Sequence, residues 1–209
     1  MQIRDIMSQP VRSIGPDVPL SEAYREMHES DLRHFPVVEE DRLVGVITDR
    51  DLRYATSRLH PHPLDPGTAV REVMASHPVT AAPLDPVEEA ARLMRGRKIG
   101  CLPVVENGQL VGIVTGMDLL DALVRLTGLE KPSSRLEVVV KDKSGTLADL
   151  TALIASSGFN IRSMLTYPQH GDDLHVIMRI DTIHPHHLVE TLSERGIEVL
   201  WPRKKQWSR

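Results

Sequence analysis

Two short stretches carry the side chains best suited to chemistry. In GVITDRD, Gly45 to Asp51, and in GIVTGMD, Gly112 to Asp118, a threonine stands three residues ahead of an aspartate and three behind a glycine. Thr48 with Asp51, and Thr115 with Asp118, have the spacing of a helix capping box, in which the hydroxyl accepts a backbone N–H and the carboxylate bonds back. The same atoms suit a ligand. Free N–H groups and the positive end of a helix dipole beside a glycine make a place for phosphate, and a carboxylate that accepts two hydroxyl hydrogens suits a ribose diol. Spacing alone leaves both readings open. Arg50 can offer a forked cationic donor to phosphate where Met117 cannot, unless Arg50 is spent in a surface ion pair.

These residues must be held by elements, and the elements occur twice. Shifted by 67 positions, Ile3 to Arg53 align with Val70 to Leu120 without a gap, 18 of the 51 pairs being identical, which marks an internal duplication. IRDIM matches VREVM, PLSEAYREM matches PVEEAARLM, and FPVVEEDRLVGVITDRDL matches LPVVENGQLVGIVTGMDL, while His34 becomes Cys101. Pro19 and Pro86 fit the first position of a helix, and Leu20, Ala23, Tyr24 and Met27 recur at helical spacing, as do Val87, Ala90, Ala91 and Met94. FPVV and LVGVIT are strands of a hairpin around a polar turn. Each copy is therefore a β-α-β-β-α unit of about fifty residues, too small to bury a sufficient core alone, so the copies must pack together. Between them, Tyr54 to Ala69 holds Pro61, Pro63, Pro66 and Gly67, which exclude a continuous helix.

Gly128, Pro132, Ser133 and Ser134 mark a boundary, and a different unit follows. RLEVVVKD reads as a strand, and SGTLADLTALIASSG as a helix with Leu147, Leu150 and Ile154 on one face and Gly158 as its stop. NIRSMLTYP and DLHVIMRID form a hairpin around QHGD, Pro185 to Arg195 a second helix ending at Gly196, and IEVLW a last strand. The order β-α-β-β-α-β is that of a ferredoxin-like unit. The expected divisions are 1–60, 61–127 and 134–202.

Composition limits the function classes. With 41% hydrophobic and 26% charged residues the chain is globular, and with only 3% aromatic residues its cores rely on aliphatic side chains. A net charge of −4 gives no overall footprint for nucleic acid. The one dense basic run, RKKQW within WPRKKQW, leaves a DNA-associated regulator as a rival reading that salt-dependent retention on DNA would reveal. No apolar run reaches the roughly 20 residues needed to span a bilayer, and MQIRDIM lacks the order of a signal peptide, so a cytoplasmic protein with no membrane partner is expected. Cys101, the single cysteine, lies in the apolar IGCLPVV and reads as a small hydrophobe. HPHH and HPHP suggest metal, but no cysteine or carboxylate cluster completes a ligand set, and no metal site is expected. Acidic pairs such as Glu39 and Glu40 read as solvated turns, and no nucleophile with an obvious base emerges, which disfavours an enzyme and a catalytic cofactor.

The paired GVITDRD and GIVTGMD, each preceded by PVV and by IRDIM or VREVM, resemble the G-h-h-T-x-x-D signature of CBS domains, over Met1 to about Leu123. The resemblance implies an α+β fold in which two CBS repeats pack as a Bateman module with up to two clefts for adenine nucleotides, AMP, ADP or ATP, or related adenosyl compounds. It assigns Asp51 and Asp118 to ribose hydroxyls, Thr48 and Thr115 to ribose or phosphate, and Ile14, His34 and Phe35 to the border of the adenine. The Arg50 cleft is then expected to favour charged nucleotides over the Thr115 and Asp118 cleft. VVVKDKSGTLADLTALIASSGFNI resembles the opening of an ACT domain, with Ser144 where that family often has proline. It implies Asp142, Gly145, Asn160 and Ile161 as contacts for an amino acid or similar small effector, usually at a dimer interface, although a turn at Asp142 and Gly145 and backbone satisfaction at Asn160 explain the same residues. The combination resembles the acetoin-utilisation AcuB-like proteins of prokaryotes, which implies a non-enzymatic, homodimeric regulatory sensor of an unidentified target protein.

Overall fold

Pro19 and Pro86 each end an extended segment and open a helix. In the computed structural model, which describes residues 1–168 and 171–202, both prolines are N-caps with extended ψ of 145° and 141°, one position earlier than their spacing suggested. The helices α1 (Leu20–Ser30) and α3 (Val87–Arg97) follow. Leu20, Ala23 and Met27 are buried on α1, and Val87, Ala90 and Met94 on α3, while Tyr24 faces solvent. Each helix stops at a left-handed residue, Asp31 or Lys98.

One antiparallel hairpin comes next in each copy, β1 (His34–Glu39) with β2 (Arg42–Thr48) in the first and β4 (Cys101–Glu106) with β5 (Gln109–Thr115) in the second. The two-residue turns have positive φ at both positions, at Glu40 and Asp41 in the first and Asn107 and Gly108 in the second, which matches the twist of the flanking strands. Both hairpins share a register shift at the same place, between Val37 and Val38 and between Val104 and Val105. The helices α2 (Asp49–Thr56) and α4 (Gly116–Leu126) then begin at the two Thr-x-x-Asp boxes. The first strand expected in each copy is reduced to a single parallel bridge, Ile14 to Val37 and Ala81 to Val104.

The copies exchange their openings. Ile3, in a 3-10 turn at the start of the first copy, is 0% exposed within the core of the second, beside Val87, Leu102 and Val114. Val70, its equivalent, is 0% exposed within the core of the first, beside Leu20, Phe35 and Ile47. A short strand β3 (Ala75–Ser76) adds to β2 at Gly45 and Val46, and Ser8 bridges to Ile113 of β5. Here the motif glycines have their purpose. A Cβ on Gly45 would lie 2.5 Å from Met74 Sδ and 3.1 Å from the Ala75 carbonyl oxygen, and one on Gly112 would lie 2.6 Å from Met7 Sδ. The sequence suggested that these glycines give a phosphate room to approach. In the structure they give room to the other copy's opening segment.

The chain divides into two compact units, residues 1–122 and from Leu123 onward. The second builds a four-stranded antiparallel sheet, ordered β7-β8-β6-β9, from β6 (Ser134–Lys141), β7 (Ile161–Pro168), β8 (Asp173–Ile180) and β9 (Glu198–Trp201). Helices α5 (Thr146–Ser156) and α6 (His186–Glu194) bury Leu150, Ile154, Leu188 and Leu192 against Leu136 and Met178 of the sheet. This is the βαββαβ order read from the sequence, although Leu147 lies exposed, off the apolar face assigned to it. The basic tail after Pro202 and part of the QHGD turn lie outside the described residues.

Exchange makes a test of stability possible. Ile3→Ala and Val70→Ala should each destabilise the first unit by about 2–4 kcal/mol, and Gly45→Ala by about 1–3 kcal/mol through overpacking against Met74 and Ala75. Urea denaturation should show one transition for both copies in every variant; a copy that melts separately would show that exchange does not couple them.

Candidate functional site

The capping boxes form in full. Thr48 Oγ1 accepts the Asp51 N–H at 3.2 Å, while Asp51 Oδ2 accepts the Thr48 N–H at 3.0 Å and its hydroxyl at 2.6 Å. In the second copy Asp118 Oδ2 accepts the Thr115 N–H and hydroxyl, both at 2.7 Å, and the Asp118 N–H reaches Thr115 Oγ1 at 3.4 Å. All of the carboxylate's bonds fall on one oxygen. Oδ1 of each aspartate has no protein partner among the described residues, so capping the helix leaves half of the carboxylate available to a ligand.

Around Thr48 and Asp51 lies a cleft of about 940 Å³. His34, Thr48, Arg50 and Asp51 line it. Ile14 and Phe35 do not: they are 6% and 1% exposed within the first copy's core, where their apolar character is used for packing. Thr115 and Asp118 occupy the equivalent place in the second copy, away from this cleft. The opposite wall comes from the second copy, from Ala75, Pro78 and Val79 of its exchanged opening and from Lys98 to Cys101, where the chain enters β4. Sequence reasoning missed Arg33, Lys98 and Val79. The duplication signalled that positions just ahead of each hairpin are alike, but not that one copy's would close the other's cleft.

Several ionisable groups in the wall are shifted by their surroundings. Burial, then the neighbouring Arg33 guanidinium, lowers the pKa of His34 against the opposing pull of Asp51 and Asp49, which favours the neutral ring. Gly100 admits that ring, since a Cβ there would stand 2.7 Å from His34 Nε2. Burial, and then the charge of Asp51, pushes the Cys101 thiol up to about 12, so it packs as a neutral side chain beside Val46 and Ile113. Arg53 is committed to Asp49 one helical turn earlier, and its hydrogen bond holds the Asp49 carboxyl below the usual range. Arg50 is exposed and has no ion-pair partner among the described residues.

The ACT candidates separate into two groups within one chain. Asp142 donates its N–H to the Asp172 carbonyl at 2.8 Å, and Gly145, with φ of 91°, is the N-cap of α5. Asn160 lies beyond the other end of that helix, its carbonyl accepting the Asp181 N–H at 2.9 Å, and Ile161 pairs with Ile180. Eleven helical residues rise about 16 Å, so the two groups do not meet around one small ligand in a single copy. Among the described residues no group of three or more His, Cys, Asp or Glu could hold a metal ion, and no helix is long and apolar enough to cross a membrane.

Known proteins share these features. The CBS domain pattern matches residues 3–58 and 70–125, and the ACT domain pattern residues 134–199. A CBS domain-containing protein of Dictyostelium discoideum is 36% identical over 149 residues, covering 63% of this chain and 97% of that protein. A crystal structure of a protein assigned to acetoin utilisation, AcuB from Vibrio cholerae, is 32% identical with a TM-score of 0.53, over 63% of this chain and 98% of that one. The CBS domain pair of protein MJ0100, in complex with 5′-methylthioadenosine and S-adenosyl-L-methionine, is 29% identical with a TM-score of 0.53, over 63% of this chain and 98% of that one.

The lowered pKa of His34 gives a signed expectation. The unfolded chain holds that proton more tightly, so the stability present above the free value of 6.5 is lost as pH falls from there through the folded pKa. Between about pH 7.5 and about pH 5 the native chain should lose more stability than His34→Gln, measured by urea midpoints. Equal losses would remove His34 from the acid response.

Proposed function

Because the chain belongs to the CBS-domain family and carries a C-terminal ACT domain, we propose that it is a non-enzymatic regulatory sensor that binds an adenine nucleotide or related adenosyl compound between its CBS repeats. The observation that carries this reading is Asp51: one oxygen caps α2 while the other is left open beside a cleft whose walls come from both repeats. Ribose hydroxyls would donate to that oxygen, Thr48 would meet the ribose or first phosphate, and Asp118 with Thr115 would take the same places in the second repeat. The adenosyl ligands of the MJ0100 domain pair support the ligand class.

A ligand that touches both repeats changes their arrangement to the extent that it binds one arrangement better than another, and about 1.4 kcal/mol of preference shifts the balance tenfold. The output is read by a homodimer in which the ACT unit joins two copies or takes an amino acid or similar small effector, with Asp142 and Gly145 of one copy set against Asn160 and Ile161 of the other. That pairing across copies answers their separation along α5. The setting is the cytoplasm, the regulated target is another protein, and the link to acetoin utilisation rests on the likeness to the Vibrio cholerae protein. Cys101, held as a neutral buried thiol, is unsuited to nucleophilic work.

The repeats are unequal, since Met117 stands exposed where the first repeat has the unpaired Arg50. In a thermal-shift screen of AMP, ADP, ATP, S-adenosylmethionine and amino acids, an adenosyl compound at about 100 times its Kd should stabilise by about 2.7 kcal/mol. Calorimetry should show Arg50→Ala losing about tenfold in affinity for AMP, with Asp118→Ala leaving that site unchanged. Absence of any adenosyl binding removes the sensor reading, and an unchanged Arg50→Ala removes the inequality.

A further inference from the structure

The charge of the first cleft opposes that of the chain. Arg33, Arg50, Arg53 and Lys98 line it against only Asp49 and Asp51, an excess of two positive charges with His34 neutral, on a chain whose net charge is −4. The Arg53 and Asp49 side chains satisfy one another. Arg33, Arg50 and Lys98 are all exposed and make no ion pair among the described residues. A wall with three uncommitted cations has anion-binding capacity beyond what one ribose and its carboxylate partner require.

Their origin matters as much as their number. Arg33 precedes β1, and its carbonyl accepts the Asp49 N–H at 3.1 Å, which ties it to the start of α2 where Arg50 sits. Lys98 comes from the second repeat, two residues before Gly100, whose bare backbone faces the His34 ring. The three cations thus belong to both walls. At the 67-residue offset their counterparts are Gly100 for Arg33, Met117 for Arg50 and Asp31 for Lys98. Asp31 and Lys98 hold the same left-handed C-cap position, with φ of 53° and 56°, so this is a reversal of charge at one place in the fold. None of the three cations is repeated.

We propose, building on the sensor reading, that this cleft is specific for a nucleotide with a chain of two or three phosphates, held from one repeat by Arg33 and Arg50 and from the other by Lys98. Asp51 holds the ribose end and the phosphate chain crosses the seam between the repeats. Phosphate number is what the cleft measures, because each added phosphate brings charge for these three cations to meet, Lys98 of the second repeat among them. An uncharged thioether nucleoside gains nothing from these cations, and a sulfonium compound is repelled by them.

Calorimetry of the full chain with adenosine, AMP, ADP and ATP, in the presence of a chelator to keep the phosphates free of divalent metal, tests the proposal. Affinity should climb with phosphate number, by about tenfold or more from AMP to ATP. Lys98→Gln should abolish most of that climb while changing adenosine binding by less than about twofold, and Arg33→Gln should act in the same direction. The proposal is overturned if adenosine, AMP and ATP bind alike, or if Lys98→Gln weakens all of them equally; adenosyl binding through Asp51 would then still stand. If none of the four binds, the sensor reading itself falls and the proposal with it.

Discussion

The first unit depends on an exchange of apolar side chains between two copies of one sequence. Ile3 completes the core of the second repeat and Val70 that of the first, each with no exposed surface. Neither repeat of about fifty residues encloses enough surface alone, and the shared openings solve that deficit reciprocally. The strand pairing at Gly45 and the bridge at Ser8 follow from the same crossing. So does the cleft, since the segment that leaves Val70 for the first core continues through Ala75 and Val79 along its wall.

Much of this was legible because the relevant signals are local. Apolar spacing gave the helices, paired positive-φ turns fit the short polar gaps of both hairpins, and the strand and helix order of the second unit was recoverable from turn residues alone. What escaped were relations between distant segments. Periodicity says that Ile3 has an apolar place to fill, but not whose core provides it. Ile14 and Phe35 carry the right chemistry for an adenine border, yet both are buried in the core of the first repeat. Gly45 looks the same whether its missing side chain makes room for a phosphate or for a methionine. Leu147 is apolar and in helical register, but it lies exposed in the first turn of α5 while Leu150 and Ile154 are buried in the core.

Two arginines on α2 show how spacing decides function. Arg53 follows Asp49 by four residues, so the helix delivers its guanidinium to that carboxylate and neutralises it. Arg50 follows by one residue, too close along the helix to reach that carboxylate in the same way, and lines the cleft with no salt-bridge partner among the described residues. Of two identical side chains three positions apart, both lining the cleft, one is therefore neutralised and the other is left without a salt bridge among the described residues. Composition and net charge are blind to that division, and only the helical geometry separates the cation that is used from the one that is available.

The Thr and Asp boxes have a consequence for how the two clefts differ. Each stabilises the start of its helix through one carboxylate oxygen, with or without a ligand on the other. Folding alone therefore accounts for the pair in both repeats, including where glycine, methionine and aspartate stand at the counterpart positions of the three cations. Within this chain the box is the same in both repeats, so the residues around it, not the box, set the two clefts apart.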